Sequence, residues 1–220
     1  MWTETVIRMI GEGIVESLYM TAFSTLFGYV LGMPWGIGLA VTGKEGIHPN
    51  GVIYRMLDVC ANILRSVPFL ILLILILPLT RLLVGTTIGS TATIVPLTIS
   101  AAPMIARLVE SSLNEVDRGV VEAAESMGAN VFFIICHVLL VEGRTSLIAG
   151  ATLSFATILG YSAMAGVVGG GGLGDIAIRY GYYRYQTDIM IVTVVLLVLL
   201  VQVFQWLGNH LALTLDKRKK

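Results

Sequence analysis

An all-α, polytopic membrane protein with five transmembrane helices and a short cytoplasmic insert is the fold class this sequence predicts. Three observations predict it. Hydrophobic residues fill 56% of the 220 positions and charged residues 13%, roughly half the charged share of a soluble domain. The mean hydropathy of +0.86 leaves too little polar surface to clothe a soluble fold of this length. Five apolar runs approach or exceed the ~20 residues that a helix needs to cross a bilayer, with one acidic, alanine-containing stretch between the third and the fourth. The zero net charge lacks the basic footprint of a nucleic-acid binder.

The N-terminal MWTETVIRMIGEGIVE has no basic segment followed by a short apolar core and a cleavage site. The first run is therefore expected to remain as a helix. It covers about residues 14–41 and closes in GLAVTGKE, Gly38 to Glu45. This is one residue away from a phosphate loop, but Glu45 replaces the magnesium-binding hydroxyl and no strand precedes it. The second span, about 56–79, holds Arg65 and Pro68. A charge within a span faces a cavity or a partner; it otherwise pairs, for instance with Asp58, or snorkels to the interface. Pro68 is placed to kink the helix just beyond it. Both residues are candidates for a substrate path. The third span covers about 91–109. Cys60 and Cys136 lie in apolar surroundings with no CxxC or Cys/His cluster, which reads as buried free thiols.

The insert, about 110–145, contains VVEAAESMGAN at 120–130. Asp117 can cap a helix starting near Arg118. Val120, Val121, Ala124 and Met127 share one face at helical spacing, and Glu122, Glu125 and Ser126 lie towards the other. Gly128 suits a left-handed C-terminal cap, and Asn130 can cap the next helix, VFFII. A helix lying on the membrane surface usually carries Lys and Arg on its polar face. Here that face is acidic, which favours a protein partner.

The fourth span, about 146–168, carries Tyr161, Ser162 and Met164, candidates for a substrate path or gate. Met164 sits among Ala163, Ala165 and Gly166, where a long flexible side chain could plug a narrow pore or fill a packing gap. GGGGLG, Gly169 to Gly174, formally fits GxGxxG but reads as a flexible loop or a close-packing site. The following loop, to Asp188, is rich in Tyr and Arg. Tyr is expected at a membrane interface, and Tyr with Arg also suits protein docking; Asp175, Arg179 and Tyr182 are the candidates. The fifth span covers about 189–213. One set of span ends carries Lys44, Arg55, Arg107, Arg118, Arg144 and the basic tail from Lys217 to Lys220; the other carries Arg8, Arg81, Arg179 and Arg184. The imbalance predicts an N-terminus outside and a cytoplasmic C-terminus. His48, His137 and His210 are scattered, Ser154 and Ser162 lack a nearby base, and no metal or catalytic set is apparent.

Glu122, Ala123, Ala124 and Gly128, followed by Val138, Leu139 and Leu140, resemble the EAA loop of type I ABC-importer membrane subunits. That signature is E-A-A, three residues, Gly, nine residues, then I-x-L-P. Val141 stands where the family has proline, which bears on the bend after the motif. LRSVPFLILL at 64–73 and IVPLTISAAPMIARLVE at 94–110 look like family segments. YSAMAGVVGGGGLGDIAIRYGY at 161–182 is similar to the methionine-type subgroup.

The resemblance covers roughly residues 14–213, as one type-1 permease domain. It implies a permease in a bacterial cytoplasmic (inner) membrane, with no cofactor of its own. A second copy of the chain and two cytoplasmic ABC ATPase subunits carrying ATP and Mg²⁺ would complete the membrane machine. An extracytoplasmic methionine-binding protein, often a lipoprotein, would deliver D- or L-methionine. Glu122, Ala123, Ala124 and Gly128 would couple the ATPase to the path as a coupling helix. The alternative is an ATP-independent secondary transporter of a small amino acid, which usually shows internal repeats or broken helices with paired intramembrane charges.

Overall fold

The computed structural model describes residues 4–215, and every regular element among them is helical. The long elements are α1 (Glu4–Thr42), α2 (Gly51–Ser66), α3 (Phe69–Val84) and α4 (Ser90–Asn114). The short α5 (Arg118–Ser126) follows, then α6 (Val131–Glu142), whose middle, Ile134–Leu139, is π-helical. After α7 (Arg144–Ala165) comes α8 (Gly172–Ile176), prolonged by a π-helical stretch over Ala177–Tyr182. The last is α9 (Thr187–Leu215). Among the described residues, α1, α4, α7 and α9 are long and apolar enough to cross a membrane, and the bent pair α2–α3 makes a fifth span if counted as one.

Helix α1 begins at Glu4, well ahead of the apolar run. Its 39 residues reach about 58 Å at the α-helical rise, nearly twice a bilayer's apolar thickness of ~30 Å. The polar opening turns stay helical, with Arg8 paired to Glu12 one turn on at 2.9 Å. The stretch expected as the second span, 56–79, is two helices rather than one. Pro68 supplies no N–H and disfavours a helical conformation at Val67, so α2 stops at Ser66. Pro68 then caps α3, its carbonyl accepting from the N–H groups of Ile71 and Leu72 at 2.9 and 3.0 Å.

Two compact units divide the chain. One gathers the chain up to Phe27, Val67–Ala101 and Phe155–Gln205. Its core includes Met20, Leu73, Leu97, Leu159 and Leu173, all fully buried. The other gathers Gly28–Ser66, Ala102–Ser154 and the chain from Trp206; Leu39, Ile105, Val109 and Ile134 are buried there. In this second unit α1 lies directly on α4. A methyl group on Gly32 would come within 2.6 Å of the Ala102 carbonyl oxygen. Gly36, one turn on, faces Ala106 and Val109, so the pair behaves as the small-residue seam that lets membrane helices approach to backbone contact.

Helix α4 is the most enclosed of the long helices, with 61% of its most apolar stretch buried against 11% for α9. Helices α3 and α9 expose Leu75, Leu82, Val198 and Leu211, apolar side chains of the kind that lipid or a neighbouring membrane helix covers. Several hydroxyls inside the spans bond back to their own helix, as Thr21 does to the Ser17 carbonyl at 2.7 Å and Thr193 to that of Ile189 at 2.8 Å. The cysteines are both free, but Cys60 is exposed and Cys136 only half-buried. This corrects the expectation of buried thiols: Cys60 shares its outward face with Met56, Val59 and Ile63, apolar residues that need no protein cover in a membrane.

Candidate coupling site

Helix α5 is closed at both ends by its own sequence. The Asp117 carboxylate accepts from the Gly119 N–H at 2.7 Å, filling one of the unpaired donors of a first turn. At the other end Gly128 adopts φ +80°. Its N–H reaches the Glu125 carbonyl at 2.9 Å, and the Ala129 N–H reaches that of Ala124 at 3.1 Å. This is the left-handed closure that glycine makes without strain. The Asn130 side chain then accepts from the Phe133 N–H at 2.8 Å and starts α6.

Nine residues are too few to hold a helix in water, so packing must hold α5. It lies against the π-helical part of α6, and Ala124, 5% exposed, is its buried contact. Val121 is half-buried. The rest of the expected apolar face is open: Val120 is 44% and Met127 82% exposed. Glu122, Ala123 and Glu125 are exposed beside them. A small apolar patch with an acidic rim suits a protein partner better than an anionic lipid surface. Arg118 fastens the start of α5 to the α1–α2 loop through the Glu45 carbonyl at 2.7 Å and its carboxylate at 3.0 Å. Both side chains are exposed, so this pair contributes at most about 1 kcal/mol.

Behind α5 lies a cavity of about 1040 Å³. Its lining includes Val121, Glu122 and Glu125 of α5 together with Tyr54, Asp58 and Glu110. Those last three belong to a charge cluster that sequence reasoning missed. Arg107 on α4 binds Asp58 of α2, the Asn62 amide oxygen at 3.1 Å, and Glu110 at 2.7 Å. The Tyr54 hydroxyl donates to the other Glu110 oxygen at 3.1 Å, and the Asn62 amide donates to Asp58 at 3.2 Å. Asp58 therefore pairs with Arg107 and not with Arg65. Two helical turns, about 10 Å of rise, separate Arg65 from Asp58 along α2, beyond ion-pair reach. The available signal was Arg107 and Glu110 at i, i+3 on one helix.

The other sequence candidates fall in separate places. Arg65 is exposed in the last turn of α2. In the first unit, Phe69, directly after Pro68, stacks on Tyr161 with ring centroids 4.7 Å apart and planes 5° from parallel. Ser162 is buried and donates to the Leu159 carbonyl at 2.8 Å, while Met164 is 47% exposed. The stretch expected as a loop, 169–188, is largely helical. The glycine tract is a close-packing site: the Gly172 N–H donates to Glu16 at 2.7 Å and the Leu173 N–H to Ser17 at 2.9 Å. Gly172 has φ +74°, and a methyl group on it would meet the Ser17 hydroxyl at 2.6 Å, so only glycine lets α8 sit on α1 there. Asp175 pairs with Arg179 at 2.7 Å, Tyr182 is exposed against Tyr183, and Arg184 lies over the Tyr180 ring at 4.6 Å.

Comparison with known proteins meets this arrangement at several points. The family described as binding-protein-dependent transport system inner membrane component matches residues 32–217. A Vibrio cholerae protein named as a probable D-methionine transport system permease, MetI, is 52% identical over 203 residues, 92% of this chain and 90% of its own. The D-methionine permease of Escherichia coli K12 is 45% identical over 164 residues, 74% of this chain and 76% of its own. A chain of the MetNI methionine ABC transporter, solved in inward-facing conformations, is 44% identical with a TM-score of 0.96, over 98% of this chain and 100% of that one.

Proposed function

The chain belongs to the binding-protein-dependent transport system inner membrane component family, and from that premise we propose that it is the permease of an ATP-driven methionine importer. Two copies enclose the path through a bacterial inner membrane. A separate cytoplasmic ATPase, also in two copies, binds ATP and Mg²⁺; an extracytoplasmic binding protein, often lipid-anchored, delivers the amino acid. The N-terminus lies outside and the C-terminus in the cytoplasm. The relatives' names, D-methionine for the permeases and methionine for the solved transporter, support methionine as cargo.

The observation that carries this reading is α5, a helix capped at both ends with an exposed apolar patch and an acidic rim. A rigid, closed helix moves as one body when a partner changes shape. Ala123 and Met127 form the docking surface, and Glu122 meets a cationic group of the ATPase. Ala124 holds α5 to its own chain, and Gly128 sets the turn. When the ATPase dimer closes on ATP it displaces α5, and the spans pass between inward- and outward-facing states. The ATPase's ligand thus biases a two-state permease.

Tyr161, Ser162 and Met164, with Pro68 and Arg65, are assigned to the substrate path or its gate. Asp175, Arg179 and Tyr182 are assigned to docking of the binding protein. The Asp175–Arg179 pair is supported in that role by the exposed Tyr182 close by in sequence.

The test is uptake of labelled methionine into vesicles holding the full complex with its binding protein. Accumulation that needs ATP and survives a protonophore is expected. Accumulation that ignores ATP and collapses with the protonophore would make this a secondary transporter instead.

A further inference from the structure

We propose that Arg107 is a positioning residue for energy coupling: its bonds tie α2 to the end of α4 that runs into α5, so that a displacement of α5 moves α2 and α4 together. The proposal rests on the reading of the chain as a permease driven by a partner ATPase.

The geometry supports a relay. Arg107 and Glu110 stand on the last turns of α4, and α4 ends at Asn114, only a short turn ahead of Asp117 and α5. Arg107 grips Asp58 and Asn62 on α2 with one nitrogen and Glu110 on α4 with the other. A guanidinium fork fixes direction as well as distance, which a lysine or an apolar contact does not. Tyr54 adds a second tie between the same helices through Glu110.

The cavity gives the second argument. Tyr54, Asp58 and Glu110 line the same cavity as Val121, Glu122 and Glu125 of α5, so the cluster and the docking helix border one space. A push on α5 reaches α2 along two routes, the α4 connection with the bonds of Arg107 and the Arg118 contact with the α1–α2 loop, and only the first fixes α2 against α4.

The neighbouring α1–α4 contact gives the third. It is made by Gly32 and Gly36 against backbone and aliphatic groups, so apolar packing is available to this helix for mere adhesion. A partly buried ion cluster is a poor adhesive, because desolvation offsets much of its attraction. What it adds is a set of directional bonds that hold α2 and α4 in one register.

The test uses the complete transporter in proteoliposomes and reads methionine delivered per ATP hydrolysed, with thermal stability of the complex measured alongside. In Asp58→Asn and Tyr54→Phe, each a change of a few atoms, ATP hydrolysis is expected within about twofold of wild type. The methionine-to-ATP ratio falls about tenfold in the first and about threefold in the second. A triple variant, Asp58→Leu with Arg107→Met and Glu110→Gln, replaces the cluster by apolar and neutral groups. It is expected to be as stable as wild type and uncoupled. A stable triple variant or an Asp58→Asn variant with the wild-type ratio would reduce the cluster to adhesion and overturn the proposal. Variants that lose stability, hydrolysis and transport in parallel, with the ratio unchanged, overturn it as well. Wild-type vesicles showing no ATP-driven uptake would instead overturn the importer reading on which it rests.

Discussion

Single residues separate what α5 presents from what holds it. Ala123 and Ala124 are neighbours in sequence and alike in chemistry, yet the first is exposed and the second 5% exposed. Ala124→Arg must therefore disturb the seat of α5 on α6, whereas Ala123→Arg changes only the outward face. Gly128 has φ +80° with open space around it, so a substitution there acts through backbone strain alone. Gly128→Val should weaken the α5 turn by about 1–2 kcal/mol, the price of a left-handed conformation in a residue with a side chain. Gly128→Asn should be milder, because asparagine tolerates that conformation. Amide exchange across 118–130 reads the order of the two. The caps at Asp117 and Asn130 and the turn at Gly128 were legible in the sequence because each depends on residues no more than five apart. The partner of Asp58 was not, since Arg107 lies 49 positions away and no local rule reaches that far.

At the scale of elements, the apolar runs located the long helices, and the physics of backbone hydrogen bonds set where they stop. Helix α2 ends where Pro68 removes a donor, whereas α1 extends past its apolar run because a polar turn with an Arg8–Glu12 pair is still a good helix. The tyrosine-rich stretch after the glycine tract looked like a loop, since glycines at positive φ interrupt any helical pattern. Its helicity depends on Glu16 and Ser17 receiving the first N–H groups of α8, partners 156 positions away. For α5 the end groups are separable. Asp117→Ala should destabilise the helix by about 1 kcal/mol and speed amide exchange over Arg118–Ser126 about fivefold. Exchange in α4 should stay unchanged. Equal acceleration in both helices would mean that α5 does not open on its own.

Across the whole molecule, α1, α4, α7 and α9 each contribute residues to both compact units. A single strongly enclosed helix, α4, runs directly on to α5, so the chain places its exposed acidic helix next in sequence to its best-buried span. The assigned orientation puts Met127 in the cytoplasm and Tyr185 outside. In a Cys60→Ser, Cys136→Ser background, a membrane-impermeant thiol reagent applied to intact cells lacking an outer barrier should label Tyr185→Cys. It should label Met127→Cys only after the membrane is opened. The reverse pattern would invert the topology and remove α5 from the reach of any cytoplasmic ATPase.

The central claim, that α5 is where a separate ATPase takes hold, is tested most directly by purifying the tagged chain from its native cells in mild detergent and identifying what comes with it. An ATPase bearing a phosphate-binding loop should accompany the wild-type chain. It should be lost from Ala123→Arg while that variant keeps the wild-type melting temperature. An ATPase retained in full by Ala123→Arg, or absent beside the wild-type chain in every detergent that keeps it folded, would contradict the account.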